Sequence, residues 1–383
     1  MNMKKTLAEY IFIDDESNSS VGSIINGFND TGEVHVTQLT LSSNDGLESL
    51  TEKIKEQINF GGENKVYGIL IDLCLNGEGT NSIRFTASPI AQHLRTLAST
   101  TYEIPNIPLV LCSTIEKIKK TYNLDKACHD LYDYKFPKAS DINWEKVAKK
   151  MNALAIGYEQ LSTQHLSLKQ ILNRNDFENL DNRIFESIEN LGSTYEIAHF
   201  LIKDLFQHPG PLIKETMVAA RLGIDIAKSG VAWKSLLEHI APQIHYNGIF
   251  SIGWDRYWMD QLDTLFKKYS NGNPLSTYTA KERVEIIKMS TKIDGLQVAE
   301  PIDFCSSTYY NTICEDLKRP IDSLEAYEVY ESYDLRSWQE PKYISFYALA
   351  SGESKGIKIK QTEAKRFKED QELLRQIDAE KEN

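Results

Sequence analysis

The sequence predicts an α/β fold: a five-stranded, parallel, doubly wound sheet over the first 140 residues, followed by a larger, mainly helical domain. Three observations carry this. Short apolar runs, Tyr10 to Ile13, Val66 to Ile71 and Leu109 to Cys112, each end abruptly in polar residues. Segments of helical period lie between them, the alternation that builds a parallel sheet covered on both faces. Beyond Pro137 the character changes, and from Trp144 to about Leu205 the apolar residues recur mostly at helical spacing.

Taken in order, Tyr10-Ile11-Phe12-Ile13 is a continuous apolar strand, and Val21 to Ile25 belongs to a short helix expected to end near Gly27. Val34, Val36, Leu39 and Leu41 mark a second strand. Leu47, Leu50, Ile54 and Ile58 then follow a helix that Gly61-Gly62 is expected to stop. The third strand, Val66 to Ile71, delivers Asp72 into Leu73-Cys74-Leu75-Asn76-Gly77-Glu78-Gly79, the stretch around which the chain is organised. A long connection, Asn76 to Thr86, leads to a helix beginning near Ser88-Pro89, with proline expected at its first position. Ile107 to Cys112 is the fourth strand, Ile115 to Tyr122 starts a helix, and Asp133 to Phe136 is the fifth strand.

The helical part begins at Trp144 with Val147, Met151, Leu154 and Ile156, and His208-Pro209-Gly210-Pro211 breaks it. We expect domains at 1–140 and 141–358, and a charged helix or disordered tail at 359–383.

Composition bounds the function classes. The chain has 383 residues, of which 41% are hydrophobic and 26% charged, as in ordinary globular proteins. A net charge of -12 speaks against a nucleic-acid partner, which requires a basic surface. The run Tyr10 to Ile13 is too short for a signal peptide, and no stretch suits a membrane span. Five widely spaced cysteines fit reduced thiols in the cytoplasm. Cys112 reads as a small buried hydrophobe.

In parallel order, Asp14 and Asp15 leave strand one and Asp72 leaves strand three, so three carboxylates share one edge. Such a group calls for a cation, and Mg²⁺ suits hard oxygen ligands. A hydroxyl from Ser113 or Thr114 and an ammonium from the end of strand five complete a cradle for a phosphoryl group. On these residues, positions 8 to 140 resemble the receiver domain of bacterial two-component response regulators. The resemblance implies an acidic pair at Asp14 and Asp15, a phospho-accepting Asp72, a switch hydroxyl at Ser113 and a lysine after the fifth strand, Lys138 or, in reserve, Lys135. It implies Mg²⁺ held by Asp14, Asp15, Asp72 and the Cys74 carbonyl, with a sensor histidine kinase as partner and a downstream effector or a homodimer as further contacts. About 40 residues separate Asp72 from Ser113 where roughly 30 is typical, and the family proline after the acceptor is missing. A receiver-like fold that docks without turning over phosphate is therefore a second reading.

The C-terminal part shows no helix-turn-helix pattern, no H-E-x-x-H, no G-x-S-x-G and no Cys/His cluster. His208, beside Pro209-Gly210, reads as packed or turn-flanking. Tyr246 to Trp258, with Arg256 among aromatics, reads either as core around a buried ion pair or as an interface anchor. Trp233 and Trp338 read as core. The output is expected to be protein contact, and the layout resembles stand-alone receivers of kinase-based bacterial antiphage systems, acting as phosphoryl sinks. A receiver-switched enzyme, with Arg221, Arg256, Arg283 and Arg319 around an anionic pocket, is the third class.

Overall fold

The computed structural model describes residues 7–59, 66–76, 81–118, 130–139, 141–163, 166–352 and 356–381. The first part alternates β1 (Ala8–Ile13), α1 (Asn18–Asn29), β2 (Val34–Leu39), α2 (Leu47–Asn59), β3 (Val66–Asp72), α3 (Ala87–Thr96), β4 (Leu109–Ser113) and β5 (Tyr134–Pro137). The strands form one sheet in the order β2-β1-β3-β4-β5, every pair parallel. That is the doubly wound order of receiver domains and flavodoxins, with its switch point between β1 and β3. The predicted fold class holds.

The sheet is apolar on both faces because helices cover both. Tyr10, Ile11, Phe12 and Ile13 are all buried, as are Leu109 to Cys112. One core layer gathers Ile11, Ile13, Ile69 and Ile71 with Leu50 and Ile54 of α2 and Ile90 and Leu94 of α3. Gly68 makes room within β3: a Cβ there would sit 2.3 Å from the ring of Tyr10. Tyr10 is held in that space by its hydroxyl, which donates to the Met151 carbonyl at 2.7 Å.

Several boundaries differ from expectation, each for a local reason. Helix α1 runs through Gly27 to Asn29. Here glycine is a close-approach residue rather than a stop, since a Cβ would meet the Trp144 ring at 2.5 Å. Pro89 is the third residue of α3, after Thr86 as N-cap. It still lies in the first turn, where its missing N–H costs nothing. Gly61-Gly62 and residues 119–122 lie outside the described residues, while 115–118 are helical.

After β5, the 20-residue helix α4 (Trp144–Thr163) buries Val147, Met151, Leu154, Tyr158 and Leu161 at three- and four-residue spacing. By contacts the chain divides into two compact units. The first comprises Met1–Asn175, Phe185–Ile202 and Asn247–Trp254, and the second comprises Asp176–Ile184, Lys203–Tyr246 and Asp255–Asn383. In the first, Phe250 packs on Gly157 and Tyr158, and the Trp254 ring meets Tyr134 edge-on at 6.2 Å.

The second unit is a helical assembly with short two-stranded pairs, Leu212–Ile213 against Tyr257–Trp258, Thr312–Ile313 against Pro320–Ile321, and Ala326–Glu328 against Tyr343–Ser345. Trp233, Leu236, Leu262 and Phe266 centre its main core. The segment 359–381 is mostly helix, Ala364–Lys381, and Phe367 and Leu374 pack it against a second cluster around Tyr327 and Phe346. No helix among the described residues is long and apolar enough to cross a membrane.

Candidate functional site

Register alone brings the expected residues to one edge. Ile13 lies opposite Ile71, so Asp14 leaves β1 level with Asp72 at the end of β3. Asp72 lies opposite Cys112, so Ser113 stands one step further along β4, and Ser113 opposite Pro137 puts Lys138 one step beyond β5. The ladder continues there, with the Lys138 N–H donating to the Ser113 carbonyl at 2.8 Å.

The side chains complete the convergence. Lys138 Nζ donates to Asp14 Oδ2 at 2.7 Å and ion-pairs Asp72 Oδ1 at 2.9 Å. Asp14, Asp15 and Asp72 are 1%, 4% and 3% exposed, so these charges interact with little screening by water. Burial pulls the Lys138 ammonium down, but Asp72 and Asp14 more than offset it, and its pKa stands raised. Of the two candidate lysines, Lys138 is thus the one at the acids, while Lys135 lies within β5 opposite Leu111. Ser113 is fully buried and its hydroxyl has no hydrogen-bond partner among the described residues. Thr114, half-buried, instead accepts from the Lys117 N–H at 3.4 Å at the start of the next helical turn.

The remaining carboxylate oxygens are oriented by turns. Asp14 Oδ1 accepts from the Glu16 N–H and Asp72 Oδ2 from the Cys74 N–H, both at 2.9 Å. The connection after Asp72 is built into the core at both ends: Leu73, Leu75, Ile83 and Ala87 are buried. Ile83 donates to the Leu75 carbonyl at 2.8 Å, and the Asn81 N–H donates to the Asp15 carbonyl at 3.2 Å. Gly77 to Thr80, the middle of the enlarged loop, lie outside the described residues.

Among the described residues, no set of three or more His, Cys, Asp or Glu side chains is drawn together as a metal cage. The donors nevertheless fit Mg²⁺ chemically, since that ion keeps several waters and takes one or two carboxylates rather than a closed protein cage. Three buried acids against Lys138 leave the edge acidic, and each carboxylate oxygen has a second lone pair to offer.

At the opposite, amino-terminal edge of the sheet, where β4 and β5 begin, lies a network that the sequence reading missed. Arg95 of α3 pairs with Asp133 Oδ2 at 2.8 Å, and the Leu109 N–H donates to the same oxygen at 2.8 Å. Tyr158 of α4 donates to Asp133 Oδ1 at 2.6 Å, and the Arg95 guanidinium lies 4.0 Å from the Tyr195 ring centre. No short-range pattern marks these residues, which are 38 and 25 positions apart in sequence. The one available signal was an acid immediately before an apolar strand.

In the second unit, Arg256 is spent on the Phe206 and Asp255 carbonyls. The ion pair expected there is replaced by carbonyl bonds, while Tyr246, Tyr257 and Trp258 are buried as core. Arg221 pairs with Glu340, Arg283 donates to the Leu275, Arg221 and Tyr310 carbonyls, and Arg319 to those of Glu300 and Pro301. Each of the four arginines therefore has partners of its own, and of them Arg221 and Arg283 are neighbours. Trp233 is buried, whereas Trp338 is half-buried and donates to the Asp204 carbonyl at 3.3 Å. Cys112 is buried in β4, and burial raises its thiol.

His208 is 3% exposed, and burial, with the Lys342 ammonium next in weight, pulls its imidazole from 6.5 to about 4. A histidine whose folded pKa is depressed contributes stability that is complete above the unfolded value and is lost as pH falls toward the folded one. Between pH 6.5 and 4 we expect a loss of about 2–3 kcal/mol from this group. Urea unfolding across that range should show a steeper pH dependence in the native chain than in His208→Asn; equal slopes would refute the assignment.

No protein-family model matches the chain, and no curated protein matches it. Among solved structures, a two-component response regulator from Clostridium difficile is 18% identical, covering 38% of this chain and 94% of its own, with a TM-score of 0.25. The phosphorylated cyanobacterial phytochrome response regulator RcpA is 15% identical, covering 42% and 97%, with a TM-score of 0.23.

Proposed function

We propose that the chain is a response-regulator-like protein that accepts a phosphoryl group on Asp72 from a histidine kinase and later releases it to water. The observation that carries this is Lys138 Nζ between Asp14 and Asp72 at the carboxyl edge of the sheet. In the transfer, the N–P bond of the kinase phosphohistidine breaks as an Asp72 oxygen bonds to phosphorus, and the imidazole keeps the electron pair. Water later attacks phosphorus, the Asp72 O–P bond breaks, and inorganic phosphate leaves. Lys138 can pass from the carboxylates to a phosphoryl oxygen without crossing solvent. Ser113 supplies a buried donor that is satisfied only when such an oxygen arrives. Asp14, Asp15, Asp72 and the Cys74 carbonyl would hold Mg²⁺, which would supply further neutralisation of the phosphoryl oxygens.

The output we propose is protein contact, with an effector or a second copy, and not DNA binding. A role as phosphoryl sink in a kinase-based antiviral defence system rests on the layout of the chain, a receiver-like part followed by a larger part without a recognised catalytic motif. The same Lys138 ion pairs also favour a second reading, a self-neutralised docking module.

Beryllofluoride, a mimic of the phosphoryl group, separates the two. With Mg²⁺ present, ¹⁹F NMR of the full chain should show a bound signal that needs Asp72. A chain that stays ligand-free at millimolar beryllofluoride would be a docking module.

A further inference from the structure

The second unit holds a cavity of ≈ 270 Å³, just below the roughly 300–1,000 Å³ of pockets that hold drug-sized ligands. Its apolar wall is Phe206, Leu212, Met217 and Ile313, all buried. Its polar wall is His208 with Lys214, Lys318, Lys342 and Glu315.

The charges on that wall are unequally satisfied. Lys318 pairs with Glu315 at 2.7 Å, and Lys342 with Glu331 at 2.8 Å. Lys214 is exposed and has no ion-pair partner among the described residues. His208 is almost wholly buried. Its Nε2 is hydrogen-bonded to the Tyr333 hydroxyl, while its Nδ1 has no hydrogen-bond partner among the described residues and stands 3.6 Å from Glu331 Oε2. A partnerless ring nitrogen inside a protein is costly unless something occupies it.

We propose that this cavity binds a small organic monoanion with an apolar body, an aryl or branched-chain carboxylate. Its head would be held by Lys214 and the His208 Nδ1–H, and its hydrocarbon would lie on Phe206, Leu212, Met217 and Ile313. The Nδ1–H tautomer follows when Nε2 accepts from Tyr333. A single uncompensated ammonium matches a single charge. A phosphate dianion would have to draw Lys318 or Lys342 away from its glutamate, and it would leave the apolar wall unused.

Benzoate is a suitable probe for the full chain, with benzyl alcohol and inorganic phosphate as comparators. Titration followed on the imidazole ¹⁵N signals, assigned by their loss in His208→Gln, should show benzoate shifting His208. Both comparators should bind at least about tenfold more weakly, since each lacks one half of the complementarity. Lys214→Met, at an exposed position, should weaken benzoate by about ten- to a hundredfold, the range for losing a charged hydrogen bond. The proposal is overturned if benzoate leaves His208 unshifted, if phosphate binds as tightly as benzoate, or if Lys214→Met binds benzoate unchanged.

Discussion

Asp72→Ala is expected to abolish the acid-labile phosphate that the full chain acquires from acetyl phosphate and Mg²⁺, by at least about a hundredfold, because the transfer needs a carboxylate nucleophile at that point. The substitution is a clean one. Lys138 keeps its 2.7 Å partner Asp14, so no buried ammonium is stranded. What is lost structurally is the 2.9 Å ion pair of Lys138 with Asp72 Oδ1 and the bond from the Cys74 N–H to Asp72 Oδ2, the latter worth about 1 kcal/mol. The variant should therefore fold, and its circular dichroism should match the native chain. If it is phosphorylated as well as the native protein, Asp72 is not the acceptor and the reading of the edge fails.

The largest loss of stability is expected from Asp133→Ala. Arg95 is 7% exposed, and among the described residues its N–H groups have, besides Asp133, only the Ile107 and Leu131 carbonyls. Removing the carboxylate leaves a guanidinium buried without its counter-charge and strands the Leu109 N–H and the Tyr158 hydroxyl. Breaking a buried pair in this way costs about 3–5 kcal/mol. The surface pair Lys365 and Glu369, 3.5 Å apart on the last helix, serves as control. Removing Glu369 should cost well under about 1 kcal/mol. Urea unfolding of the two variants decides the matter. A cost for Asp133→Ala no greater than that of the control would show that the network does not hold the first unit together.

The strands were legible because each is a short apolar run that ends in a polar residue, and the parallel register follows once those ends are aligned. Asp14, Asp72, Ser113 and Lys138 could be singled out for the same reason, as residues that leave consecutive strand ends. The end of α1 was misplaced because Gly27 reads as a helix stop, and only the Trp144 ring against it shows why glycine is needed there. The Arg95, Asp133 and Tyr158 network was hidden because its members come from a helix, a pre-strand loop and a later helix, which only tertiary packing joins. For Arg256, composition correctly suggested aromatic surroundings, but it could not show that backbone carbonyls would replace a carboxylate partner.

The first unit is assembled from chain segments that end as late as Trp254. Lys138 and the sheet edge are therefore translated long before Phe250 and Trp254, which pack on Tyr158 and Tyr134. At synthesis rates of about 5–20 residues per second, the gap is on the order of ten seconds. During that interval on the ribosome, the chain already carries the acids of the edge but not yet its last aromatic cover.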